Sequence, residues 1–225
     1  MRKGLDMFSY YGSKSKIVKK YPPPLYDIIV EPFAGSARYS LLYNDKQVIL
    51  NDSYRVIYNI WKYLITATEQ QINDLPVMVK GDDVRDLNIT DVEKELMGFM
   101  VNRGVAYPHN IYTTWPSDTN EIQKCKNRIL NYLDKIRHWQ IRNEDYRKLE
   151  NIEATWYIDP PYQKGGERYI KNHIDYVQLA EWCKSRKGQV IVCENGDADW
   201  LDFEFLSSLQ GQKKKTNELI WYKNA

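Results

Sequence analysis

Three short apolar runs in this chain each stop at an acid. Ile28-Ile29-Val30 leads into Glu31, Val48-Ile49-Leu50 into Asn51 and Asp52, and Trp156-Tyr157-Ile158 into Asp159. The first run breaks at Pro32 and Gly35 and resumes with helical spacing at Leu41 and Leu42. The second passes through its acidic turn into a helix with Val56, Ile57, Ile60, Trp61 and Leu64 on one face. A further helix is expected in "HIDYVQLAEWCKS", with Tyr176, Leu179, Ala180 and Cys183 on one face, followed by a strand, "GQVIVCEN". "TNELIWYKN" reads as a last strand, paired antiparallel in a terminal hairpin. Strands alternating with helices predict an α/β fold: a mostly parallel sheet covered on both faces. Ligands of such sheets sit beyond the carboxyl ends of the strands. Glu31, Asp52 and Asp159 should therefore converge on one rim.

The alternation lapses between residues 66 and 139. That segment offers a helix near 91–101, a loop "NRGVAYPHNIYTTWPSD", and an amphipathic helix near 118–138 with Ile122, Ile129, Leu133 and Ile136 as its stripe. It reads as a helical insertion, with 1–65 and 140–225 forming the main domain.

The third apolar run ends unusually, in "YIDPPYQ". Proline cannot donate a ladder hydrogen bond, so Pro160 and Pro161 terminate the strand, and the residue before each is pushed toward extended geometry. A carboxylate, a bare carbonyl and the Tyr162 ring leave the strand in fixed relation. By itself the stretch is equally a rigid turn.

Composition removes several classes. Of 225 residues, 43% are hydrophobic and 28% charged, as in ordinary globular proteins. No apolar run could cross a bilayer, and "MRKGLDMFSYYGSK" has no signal-peptide core. Cys125, Cys183 and Cys193 are odd in number and lack zinc spacing, which suggests reduced thiols in a cytoplasmic protein with no metal. A net charge of +2 does not announce a nucleic-acid binder, although "KGGERYIKNH" and "KKK" are locally basic.

The turn "EPFAGSARYS" could let a ligand approach backbone at Gly35, or be a plain strand-to-helix turn. Asp52 stands where an acid accepts from ribose hydroxyls, though it or Ser53 could equally cap a helix. Neither GxxxxGK[ST] nor a full GxGxxG is present. The ligand should be a nucleoside without a phosphate chain, and S-adenosylmethionine fits that description.

Taken in order, "YYGSK", "EPFAGS", "NDSYRVIYNIW", "NEDYRKL" and "DPPY" resemble the Dam-like, D12-class (alpha-group) adenine-N6 DNA methyltransferases. The match covers roughly 1–65 and 140–225. Two positions depart from the family pattern: Ala37 replaces the second glycine of Phe-x-Gly-x-Gly, and Tyr10 stands where relatives often have tryptophan. The resemblance implies a Rossmann-like methyltransferase sheet with a target-recognition insertion. It also implies S-adenosylmethionine as methyl donor and a flipped-out adenine of duplex DNA as target. Tyr10 and Lys14 would line the cofactor's methionine end, Glu31, Phe33 and Gly35 its turn, and Asp52 its ribose. Asp145 would accept from its adenine amine and Tyr146 flank that ring, although Asp145 is also a good turn residue. Asp159 and the Pro160 carbonyl would each accept one N6–H bond of the target, and Tyr162 would stack on the base. Lys164, Arg168 and Lys171 could hold flanking phosphates or simply be exposed. In the insertion loop, Asn102 and Arg103 lie beside Gly104, where Arg103 could read a guanine edge or contact phosphate. An RNA methylase with the same pocket and a silent nucleic-acid-binding relative are the competing readings. Family precedent favours a monomer that pairs on DNA, and the compact size suits a phage or solitary methylase.

Overall fold

A computed structural model describes residues 7–14, 17–102, 104–113, 121–210 and 215–224. Seven strands form one sheet: β1 Ile28–Glu31, β2 Gln47–Asn51, β3 Gln140–Arg142, β4 Ala154–Ile158, β5 Gly188–Asn195, β6 Glu204–Gln210 and β7 Lys215–Lys223. Their order is β3-β2-β1-β4-β5-β7-β6. The first five are parallel; β7 runs antiparallel between β5 and β6. The chain walks outward from β1 to β3 and then returns to β4 on the other side of β1. This reversal opens a crevice at the carboxyl ends of β1 and β4.

The continuous apolar runs follow from cover on both faces. Ile29, Val48, Leu50, Tyr157 and Ile191 face one core, with Ile57, Ile60 and Trp61 of α2 (Arg55–Thr66). Val30, Trp156, Ile158, Val190 and Val192 face the other, with Leu179, Ala180 and Cys183 of α7 (Tyr176–Ser185). Alternation with period two splits each strand between the two cores. Between β1 and β2 lies a single short helix, α1 (Arg38–Leu42).

From residue 66 to 139 the chain forms α3 (Glu69–Asp74), α4 (Asp91–Met100), α5 (Glu121–Leu130) and α6 (Leu133–Ile136). Capping boxes start two of these: Thr68 with Gln71, and Thr90 with Glu93. The single helix expected over 118–138 is instead two, with 118–120 outside the described residues. The break comes at Asn131 and Tyr132, where the Tyr132 amide bonds the Ile129 carbonyl three residues back at 2.8 Å. Ile122, Ile129, Leu133 and Ile136 are nevertheless all buried, in the core that α2 shares. The three cysteines are buried and free, and among the described residues no helix is long and apolar enough to cross a membrane.

Candidate active site

An open cleft of about 640 Å³, solvent mouth included, lies beyond β1, β2 and β4. The acids after three strand ends, Glu31, Asp52 and Asp159, all line it.

Backbone geometry shapes the wall after β1. Gly35 has φ +45°, and a Cβ there would stand 3.1 Å from the Tyr10 ring. The Gly35 carbonyl accepts from Trp61 Nε1 at 2.8 Å, and its N–H donates to Asp52 Oδ2 at 3.0 Å. Asp52 Oδ1 accepts the Tyr54 amide at 2.9 Å. Asp52 thus ties the turn to the end of β2. It is not the α2 N-cap, a place held by Tyr54. Ala37 is left-handed, φ 45° and ψ 45°, in the conformation a glycine would take without strain. Burial pushes the Asp52 carboxyl up to about 6, against the two amide bonds. Burial pushes Glu31 further, to about 8, with the Ser40 hydrogen bond opposing it.

The DPPY side is a dense polar network. Lys14 Nζ lies 3.0 Å from Asp159 Oδ1 and 3.4 Å from Glu218 Oε1 of β7. It also donates to the Tyr162 hydroxyl and stands 4.3 Å from that ring's centre. Glu218 Oε1 accepts from Tyr162 at 2.8 Å and from Tyr21 at 2.5 Å. Burial raises the Asp159 carboxyl, Lys14 opposes and Glu218 adds to the rise. Burial would lower Lys14, but Asp159 and Glu218 reverse this and hold the ammonium above its usual range. Outside this network, Tyr176 donates to the Pro161 carbonyl at 2.8 Å, and the Gln163 amide to buried Glu194 at 3.1 Å. Among the described residues, no hydrogen bond takes the Pro160 carbonyl.

Aromatic rings close the outer side. Tyr169 donates to the Tyr11 carbonyl at 3.1 Å and packs against Tyr10 and Tyr11. Lys171 lines the cleft, Arg168 lies over the Tyr11 ring at 5.4 Å, and Lys164 is exposed. On the insertion side, the Tyr11 amide bonds the Val105 carbonyl at 3.0 Å and Phe99 packs on Tyr10.

The expected residues thus fall into three places. Tyr10, Lys14, Glu31, Phe33, Gly35, Asp52 and Asp159 line the cleft, as Lys171 does. Pro160, Tyr162, Asp145 and Tyr146 are not among its lining residues. Tyr146 nonetheless packs on Phe33 with ring centres 5.3 Å apart, and Asn51 holds the preceding Glu144 backbone against β2 through two bonds of 3.1 Å. Asp145 caps a short 3-10 turn, accepting the Arg147 amide at 3.0 Å and Arg147 Nε at 2.7 Å; the guanidinium hydrogen bond holds its carboxyl low. Asn102 bonds the Ile111 carbonyl at 3.0 Å within the insertion loop. Arg103 lies outside the described residues.

The sequence reading missed Tyr169, Glu194 and Glu218. Tyr169 was visible as an aromatic inside a basic run. Glu218 was visible only as a charge in an otherwise apolar strand, "NELIWY", with nothing local to connect it with Lys14.

A family model, D12 class N6 adenine-specific DNA methyltransferase, matches residues 10–197. No curated protein matches the chain. Among the solved structures that are similar are the following two. A conserved hypothetical protein of Streptococcus pyogenes is 7% identical with a TM-score of 0.34, the alignment covering 86% of this chain and 84% of that one. A Haemophilus influenzae protein provisionally assigned as a methylase is 12% identical with a TM-score of 0.36, covering 88% and 78%.

Proposed function

Because the chain belongs to the D12 class of N6 adenine-specific DNA methyltransferases, we propose that its cleft binds S-adenosylmethionine beside the amine of an adenine flipped out of duplex DNA. The observation that carries this is the convergence of the Gly35 turn, Asp52 and Asp159 on one cleft. Its walls fit such a group: a side chain at Gly35 would crowd the Tyr10 ring, and the carboxyl groups of Asp52 and Asp159 suit a ligand that carries a positive sulfur. Bound there, S-adenosylmethionine supplies an electrophilic methyl group.

Asp52 accepts from the ribose through lone pairs that the Gly35 and Tyr54 amides leave over. Phe33 and Tyr146 flank the adenine of the cofactor, and Asp145, kept ionised by Arg147, accepts from its amine. Tyr10 and Lys14 border the methionine end. Asp159 and the Pro160 carbonyl each take one N6–H of the target. The amine lone pair is otherwise delocalised into the ring; the two acceptors aim it out of the plane. Rate comes from positioning and fixed dipoles rather than from a covalent intermediate. Tyr162 stacks on the base and offsets part of the cost of extruding it, about a few kcal/mol. Lys164, Arg168 and Lys171 hold the flanking phosphates, and the segment 66–139, with Asn102 and Arg103, reads the site.

Incubation with radiolabelled S-adenosylmethionine and separate pools of duplex DNA, single-stranded DNA and RNA tests this. The expected product is N6-methyladenine in duplex DNA, lost in Asp159→Ala while DNA binding persists. Label confined to RNA would keep the pocket and overturn the substrate. Cofactor binding without transfer to any pool would indicate a silent binder.

A further inference from the structure

We propose that Glu218, on the antiparallel strand β7, is the positioning residue that sets Lys14 and Tyr162 beside Asp159; this rests on the methyl transfer proposed above. A single carboxylate oxygen gathers three partners. Glu218 Oε1 accepts from Tyr162 at 2.8 Å and from Tyr21 at 2.5 Å, and lies 3.4 Å from Lys14 Nζ. The side chain is only 5% exposed.

Stability alone is a weak reason for such a group. Replacing a buried ion pair with packed apolar residues is often neutral or stabilising. The neighbours on β7 show that this strand supports an apolar core: Ile220, two residues on, is buried in it. The charge is instead placed where it constrains the DPPY segment. Tyr162 has rotational freedom about two side-chain bonds, and the hydrogen bond to Glu218 removes it at the hydroxyl end. Tyr21 fixes the carboxylate in turn, from a segment that does not line the cleft. Burial holds both phenols above their ordinary range, so both remain donors.

Glu218 also shares the Lys14 ammonium with Asp159. The target amine needs an Asp159 oxygen. Lys14 Nζ contacts Asp159 Oδ1 at 3.0 Å, which leaves Oδ2 to accept from that amine. Glu218 Oε1 at 3.4 Å gives the same ammonium a second partner and so helps to fix its position beside Asp159.

The test is steady-state methylation of duplex DNA by Glu218→Gln, Tyr21→Phe, Tyr162→Phe and the Glu218→Gln/Tyr162→Phe pair, with S-adenosylmethionine affinity and melting temperature measured in parallel. Glu218→Gln should lower kcat on the order of a hundredfold, with cofactor affinity within about twofold. Tyr21→Phe should lower kcat in the same direction by a smaller factor. It decides the matter if Glu218→Gln does not fold. The double variant should be no worse than the poorer single one, because the two residues act as a unit. Wild-type kcat in Tyr21→Phe and in a folded Glu218→Gln would overturn the assignment while leaving the methyl-transfer reading intact. Fully multiplicative losses in the double variant would overturn action through Tyr162. A wild-type chain that methylates no DNA would remove the premise itself.

Discussion

Glu31 shows how one buried carboxyl links stability to pH. Its folded pKa lies at about 8, against an ordinary 4.5. The unfolded chain gives up this proton first. Between these values the unfolded state is favoured increasingly as pH rises, at about 1.4 kcal/mol per unit. Glu31→Gln removes that term while keeping an acceptor for the Ser40 amide. The ligand-free variant should therefore gain melting temperature over wild type progressively from pH 5 to pH 8, with little difference at pH 5. Parallel melting curves across that range would refute the burial argument. Position was legible here but environment was not: a strand-ending acid can be read from the run before it, whereas its pKa depends on the Ser40 amide and its distance from water. Ala37 is similar. The sequence marks it as a missing glycine, and only the backbone reveals that it takes the left-handed conformation regardless.

Among the elements, α2 does most to hold the Gly35 turn. Trp61 is fully buried, and its indole N–H is the donor to the Gly35 carbonyl. Trp61→Phe keeps an aromatic but orphans that carbonyl and leaves a void. It should cost roughly 1–3 kcal/mol for the lost bond, more if the void persists. Urea unfolding would measure this, and calorimetry should show weaker S-adenosylmethionine binding as the turn relaxes. Lost stability with unchanged affinity would mean that α2 does not shape the turn. The helical stripe of α2 was readable because helix and core share one period. β3 was not: "QIR" is three residues, none fully buried, with no apolar alternation to mark it. The break between α5 and α6 was also hidden, because the apolar stripe continues across it and only the backbone bond pattern changes at Tyr132.

At the scale of the molecule, the mostly parallel sheet and the carboxyl-end cleft were largely legible, since β1, β2, β4 and β5 announce themselves as apolar runs, whereas the strand order and its reversal at β1 come from the structure. The polar network was not, because it joins residues 14, 21, 159, 162 and 218 from three distant segments. Strand β7 is central to it, pairing with both β5 and β6. A chain ending before residue 215 would lose this strand and the Lys14–Glu218 contact together. Such a truncation should show broadened, less cooperative thermal unfolding and no methyl transfer; retention of a sharp transition would show that the parallel strands stand alone.

The same arrangement has a consequence in time. Lys14 and Glu218 lie 204 positions apart, so one partner leaves the ribosome long before the other. The strand that completes the sheet must insert between β5 and its eventual outer neighbour after both have been made. A nascent chain therefore carries its Gly35 turn early and its assembled DPPY network last. On the roles proposed for Lys14 and Glu218, a chain whose translation has not yet passed β7 should not mark DNA.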